Sequence, residues 1–120
     1  MKIKWETKPP SFTAKACLVT MENIYGRYVI EGWAGFGEMR PGAIAWAEYP
    51  NFEKSKEGWM SEYMGDEKPT QNGLYLVALI DGNTIKFPPR ILWYDCKKDT
   101  FGGADGIAWM DVPKPYGEVK

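Results

Sequence analysis

The sequence predicts a mainly β fold, two similar small antiparallel β units sharing one core, α+β only to the extent of one short helix. Three observations carry that reading. One stretch is written twice: Ala43-Ile44-Ala45-Trp46-Ala47-Glu48-Tyr49-Pro50 and Gly106-Ile107-Ala108-Trp109-Met110-Asp111-Val112-Pro113 share Ile, Ala, Trp, a spacer, an acid, a β-former and Pro in one order. Each copy is entered from glycine and stopped by proline, the punctuation of a short strand. Elsewhere apolar and β-branched runs of strand length alternate with Gly, Pro, Asn and Asp. Aromatic side chains make up 15% of the 120 residues, and each buried indole removes about 150–250 Å² from water, so aromatics dominate the expected core.

The elements follow in order. Lys2 to Thr7 alternates charge with Ile3 and Trp5, a half-buried first strand that Pro9-Pro10 ends. Thr13 to Met21 resumes around Cys17-Leu18-Val19-Thr20, and Glu22 to Gly26 turns the chain into a return strand, Arg27 to Trp33. The loop 34–42 leads into the first copy of the repeated stretch. Asn51 is placed to cap a short helix through Glu57, with Gly58 and Trp59 returning the chain to an extended path. The second unit repeats this punctuation: Lys68-Pro69-Thr70 stands where Lys8-Pro9-Pro10 stood, and Tyr75-Leu76-Val77-Ala78 where Cys17-Leu18-Val19-Thr20 stood. Asp81-Gly82-Asn83 is a hairpin signal, Pro88-Pro89 an edge or bulge, Arg90 to Asp95 the return strand, and 97–105 the loop before the second copy. The chain therefore reads as a single domain, 1–120, of two repeat units at about 1–50 and 59–117 joined by 51–58.

Trp near the start, Lys-Pro, an extended Leu-Val strand, an Asp-Gly turn, a Trp-Tyr strand and a closing Trp-Met-x-x-Pro-x-Pro resemble the DUF551 family, short domains common in phage and prophage genes. The stretch from about Trp59 to Tyr116 carries the resemblance, and the first unit is a more degenerate copy. The family often has His before the closing Trp. Here Ala45 and Ala108 stand there, and the chain has no histidine. The resemblance implies a β-rich fold and a mobile-element origin, with no established activity.

Several function classes lose support. Fifteen basic against sixteen acidic residues, with no long run of either sign, provide no electrostatic footprint for nucleic acid. No apolar run is long enough to span a membrane, and the N-terminus lacks the apolar centre of a signal peptide, which predicts a cytoplasmic protein with two reduced thiols, Cys17 and Cys96. Without histidine the commonest general base is missing. A carboxylate-dependent hydrolase would use Glu48 and Asp111, which hold equivalent places in the two copies, but both, like Asp95, fit a solvent-facing role better. No cofactor or metal is expected, since the acids are not clustered and the cysteines lie in different units.

Surplus aromatic rings are the one excess that points to binding. Trp5, Trp46, Trp93 and Trp109 are assigned to the core. Tyr25, Trp33, Phe36 and Trp59, with Arg40 and Arg90, are the candidate binding residues. The leading expectation is a non-enzymatic phage or mobile-element protein that binds a host protein, as an inhibitor of host defence would. The alternative is sequestration of a nucleotide-like molecule, stacked on rings and held through Arg27 or Arg90. Association between copies of the chain stays open.

Overall fold

The computed structural model describes residues 3–117, and these form two antiparallel sheets of four strands each, with a single 3-10 turn as the only helical element. The chain divides into two compact units: residues 3–49 with 113–117 form the first, and 50–112 the second.

In the first unit, β1 (Ala14–Asn23) is central, flanked by β2 (Gly26–Gly35) on one side and β4 (Ala43–Ala47) on the other. β3 (Glu38–Met39) extends the sheet beyond β2. Asn23 pairs with Gly26, so the β1–β2 turn has two residues, Ile24 and Tyr25, and the Asn23 side chain accepts the Tyr25 amide at 2.8 Å. Cys17, Val19 and Ala34 form a buried cluster with Ile30 and Trp46 packed against it. On the other face Leu18, Thr20, Ala45 and Ala47 are buried as well. The predicted strand at 2–7 shrinks to a single bridge in which Glu6 and Trp46 exchange both amide bonds, at 2.8 and 2.9 Å, and the donor-less Pro9-Pro10 pair bars its extension downstream. Lys2 lies outside the described residues.

β5 (Gly73–Asp81) is central in the second unit, with β8 (Gly106–Asp111) along one edge. β6 (Thr84–Ile85) and β7 (Arg90–Tyr94) share the other edge, interrupted at Pro88-Pro89. The Asp81–Thr84 turn has Gly82 at φ 62 as its first central residue, the position that a II′ hairpin reserves for glycine. Val77, Tyr94 and Phe101 are its buried cluster, and Tyr75 meets Tyr94, Phe101 and Trp109 edge-on.

The two central strands are used in the same register. Val19 lies opposite Trp46 and Thr20 opposite Ala45, then the pairing skips Ile44 and resumes at Met21–Ala43. Val77 lies opposite Trp109 and Ala78 opposite Ala108, then the pairing skips Ile107 and resumes at Leu79–Gly106. Each copy therefore carries a one-residue bulge at its isoleucine. A bridge reaches each tryptophan from upstream, Glu6 to Trp46 and Met60 to Trp109. Trp5 thus corresponds to Trp59, and Trp46 to Trp109.

Two local expectations are corrected. The helix from Asn51 closes as one turn: its carbonyl and Oδ1 take the amides of residues 53–55, and the chain then leaves toward Gly58 at φ 82. The helical turn lies instead at Glu62–Met64, capped by Ser61. The sequence also reads 34–42 as plain loop, where β3 forms.

Cys17 and Cys96 are both free thiols. Burial pushes the Cys17 thiol up to about 11, whereas Cys96 is only partly covered. A disulfide reagent at mildly alkaline pH is expected to label Cys96 in the folded protein and Cys17 only after denaturation. Equal labelling rates would contradict this packing.

Candidate functional site

The six residues singled out from the sequence do not form one site. Trp33, Phe36 and Arg40 gather at one end of the first sheet, where the Arg40 amide donates to the Trp33 carbonyl at 3.1 Å. Tyr25 sits with Ile24 at the opposite end of β2, about 30 Å away along a ten-residue strand. Arg90 opens β7 in the second unit, exposed and opposite Val77. Trp59 is not a surface ring: it is 4% exposed and packs edge-on to Phe52. Conversely Trp93, assigned to the core, is 55% exposed. Strand alternation explains the error, since Tyr94 and Leu92 face the buried cluster and Trp93, paired with the exposed Leu74, must face the other way.

The first-sheet end is unusual in its backbone. Gly35 pairs with Glu38, leaving Phe36 at φ 51 and Gly37 at φ 77 as a two-residue turn. Two positive φ angles define the I′ turn, for which Asn-Gly is the favoured pair. An L-residue without a locally bonding side chain costs about 1–2 kcal/mol there, yet this chain uses a phenylalanine whose side chain is mostly in solvent. Phe12, 89% exposed, follows closely on Pro10, whose carbonyl accepts the Gly37 amide at 2.8 Å. Sequence reading missed Phe12 because it stands between a proline break and a strand, where no periodicity assigns a face.

A second feature, in the second unit, is not among the candidate residues read from the sequence. There a cleft of ≈ 430 Å³ is lined by Glu62, Tyr63, Lys68, Asp99, Thr100 and Trp109, among others. One wall is the segment after Trp59, anchored by buried Ser61, whose hydroxyl donates to the carbonyl of the bulged Ile107 at 2.7 Å. The other wall is the turn after β7, in which Asp95 accepts the amides of Lys97 and Lys98 and Asp99 sits at φ 56. Lys68 ties the walls together through Asp99 at 3.0 Å and Glu62 at 3.4 Å. Tyr94 donates its hydroxyl to the other Asp99 oxygen.

These bonds set the ionisation of the cluster. The hydrogen bonds from Tyr94 and then Lys68 hold the Asp99 carboxyl below its ordinary value. The bond to Asp99, followed by burial, pushes the Tyr94 phenol up to about 12. A phenol raised in the folded state stabilises fully below its unfolded value of 10.0, and that contribution disappears as pH rises through the folded value. Ultraviolet titration of the parent and of Asp99→Asn is expected to show a late tyrosine step near pH 12 in the parent that moves down in the variant. Tyrosines titrating together would contradict the bond.

Among the described residues, no group of three or more acids and cysteines is placed to hold a metal ion. Glu48 and Asp111 are both exposed, and Glu48 is paired with Lys15 at 2.8 Å. No helix of the described residues is long and apolar enough to cross a membrane. No protein-family model, curated protein or solved structure matches the chain. The functional reading therefore rests on its own geometry.

Proposed function

We propose that this chain acts without turnover, by binding another protein through the end of the first sheet that presents Phe12, Trp33, Phe36 and Arg40. The observation that carries this reading is Phe36: a ring held in solvent, at a backbone conformation that a smaller polar residue would occupy at lower cost, has no folding role. Aromatics and arginine are also the side chains that most often anchor protein interfaces. The DUF551 resemblance directs the search to host proteins in a bacterial cytoplasm, with a component of host defence as the first partner to look for.

A nucleotide-like ligand has less to support it. The lysine of the cleft is already bound by two carboxylates, Arg27 is engaged with Glu22 and the Tyr116 carbonyl, and the three charged side chains of the cleft sum to −1.

Phe36→Asn separates folding from function. Asn tolerates the left-handed region, so the variant is expected to be as stable as the parent or more stable by about 0.5–1 kcal/mol, while capture of the partner from host lysate is lost. Undiminished capture by a well-folded Phe36→Asn protein would refute the assignment of this surface.

A further inference from the structure

The matching registers allow the four central indoles to be compared one by one. In the first unit both donate to a carbonyl of the chain itself: Trp46 Nε1 to Lys8 at 2.7 Å and Trp5 Nε1 to Lys114 at 3.0 Å. Both acceptors have the same character, the carbonyl of a lysine that precedes a proline, in Lys8-Pro9-Pro10 and in Pro113-Lys114-Pro115. Proline removes donors and holds such a segment extended, so its carbonyls remain available to a side-chain donor. In the second unit the equivalent atoms, Trp59 Nε1 and Trp109 Nε1, are buried and have no hydrogen-bond partner. A buried donor without an acceptor is destabilising and requires a reason.

The two cases have different surroundings. Trp59 is enclosed against Phe52 and 4% exposed. Trp109 lines the cleft on one side and borders a second hollow with Met60, Thr70 and Tyr75 on another. Lys8 follows Trp5 by three positions, whereas Lys68 follows Trp59 by nine, and the extra residues form the Ser61-capped turn. In the second unit, then, the Lys-Pro pair is present but its lysine side chain is tied to Asp99 and Glu62, and no carbonyl reaches the Trp109 indole.

We infer that the second-unit cleft is a site for an extended Lys-Pro-Pro-type segment of a partner protein, whose carbonyl would take the Trp109 N–H as Lys8 takes that of Trp46. Charge agrees with this occupant: Glu62 and Asp99 outnumber Lys68, so a basic side chain beside the proline is matched by the walls. Because Nε1 is shielded from solvent, engagement requires the groups that cover it to shift as the segment enters. This site does not depend on the first-sheet surface, and the two proposals fail separately.

The test uses the full chain, ¹⁵N-labelled, titrated with a synthetic peptide of residues 6–11 (Glu-Thr-Lys-Pro-Pro-Ser) and with a control in which both prolines are alanine. The Trp109 indole resonance is assigned by its disappearance in Trp109→Phe, which keeps a ring in the core. The expected result is a saturable downfield shift of that resonance with the proline peptide, with those of Trp5 and Trp46 unmoved, a several-fold weaker response in Glu62→Gln, and about tenfold weaker binding in Trp109→Phe. Phe36→Asn should leave the titration unchanged. No shift up to about 5 mM peptide, an equal shift with the alanine control, or unaltered binding by Trp109→Phe would overturn the inference.

Discussion

Replacing Gly35 by alanine is expected to destabilise the protein by about 3 kcal/mol or more, a larger effect than overpacking usually produces. Gly35 closes β2 opposite Ala14, and its φ is not in the left-handed region, so conformational freedom is not the reason for glycine. The reason is space. A Cβ at this position would collide with the Ala14 Cα and the Thr13 carbonyl oxygen, backbone atoms of the neighbouring strand that cannot rotate aside, and would come within 2.8 Å of the Ala14 Cβ. Gly32 makes the contrast: a Cβ there would come within 2.8 and 3.0 Å of the two Val19 methyl groups, side-chain rather than backbone atoms, so Gly32→Ala should cost less than Gly35→Ala, although buried, branched Val19 gives way only by a small shift. Denaturant unfolding of the two variants measures the difference, and equal midpoints would show that β1 and β2 do not approach as closely as described.

Trp109→Ala is expected to cost about 3–5 kcal/mol, because the ring packs against the Val77–Tyr94–Phe101 cluster and meets Tyr75 at 5.3 Å. The subtler substitution is more informative. Trp109→Phe gives up no hydrogen bond and should cost less than Trp46→Phe, which strands the Lys8 carbonyl and loses about 1 kcal/mol in addition to the change in shape. Should the two prove equally costly, the indole comparison on which the second-unit site depends would fail.

The β architecture was legible in the sequence where local chemistry decides it. Asp81-Gly82-Asn83 makes its tight turn because glycine tolerates a positive φ, and Trp46 and Trp109 occupy matching places because the repeated stretch contains the same bulge residue. What stayed hidden depended on partners distant in sequence. Trp59 and Trp93 exchange their expected environments: Trp93 lies on the face of β7 away from the buried cluster, and Trp59, outside any strand, is buried against Phe52, a partner that no local pattern signals. β3 was hidden because Phe36 is a poor signal for the turn it occupies, which is also why Phe36 is informative about function. The tail 113–117, read as the end of the second unit, bonds to first-unit residues: the Tyr116 amide donates to buried Thr20 Oγ1 at 3.0 Å, and Arg27 donates to the Tyr116 carbonyl at 2.7 Å. The one visible clue to the cleft was spacing, the longer interval from Trp59 to Lys68 than from Trp5 to Lys8.

Oxidative footprinting of the captured complex, compared with the chain alone, tests most directly where a partner binds. Phe12, Trp33 and Phe36 should be strongly protected in the complex, while Ile24 and Tyr25, at the far end of the same hairpin and 91% exposed, should react as before. Protection at Ile24 and Tyr25 with Phe36 still reactive would contradict the account.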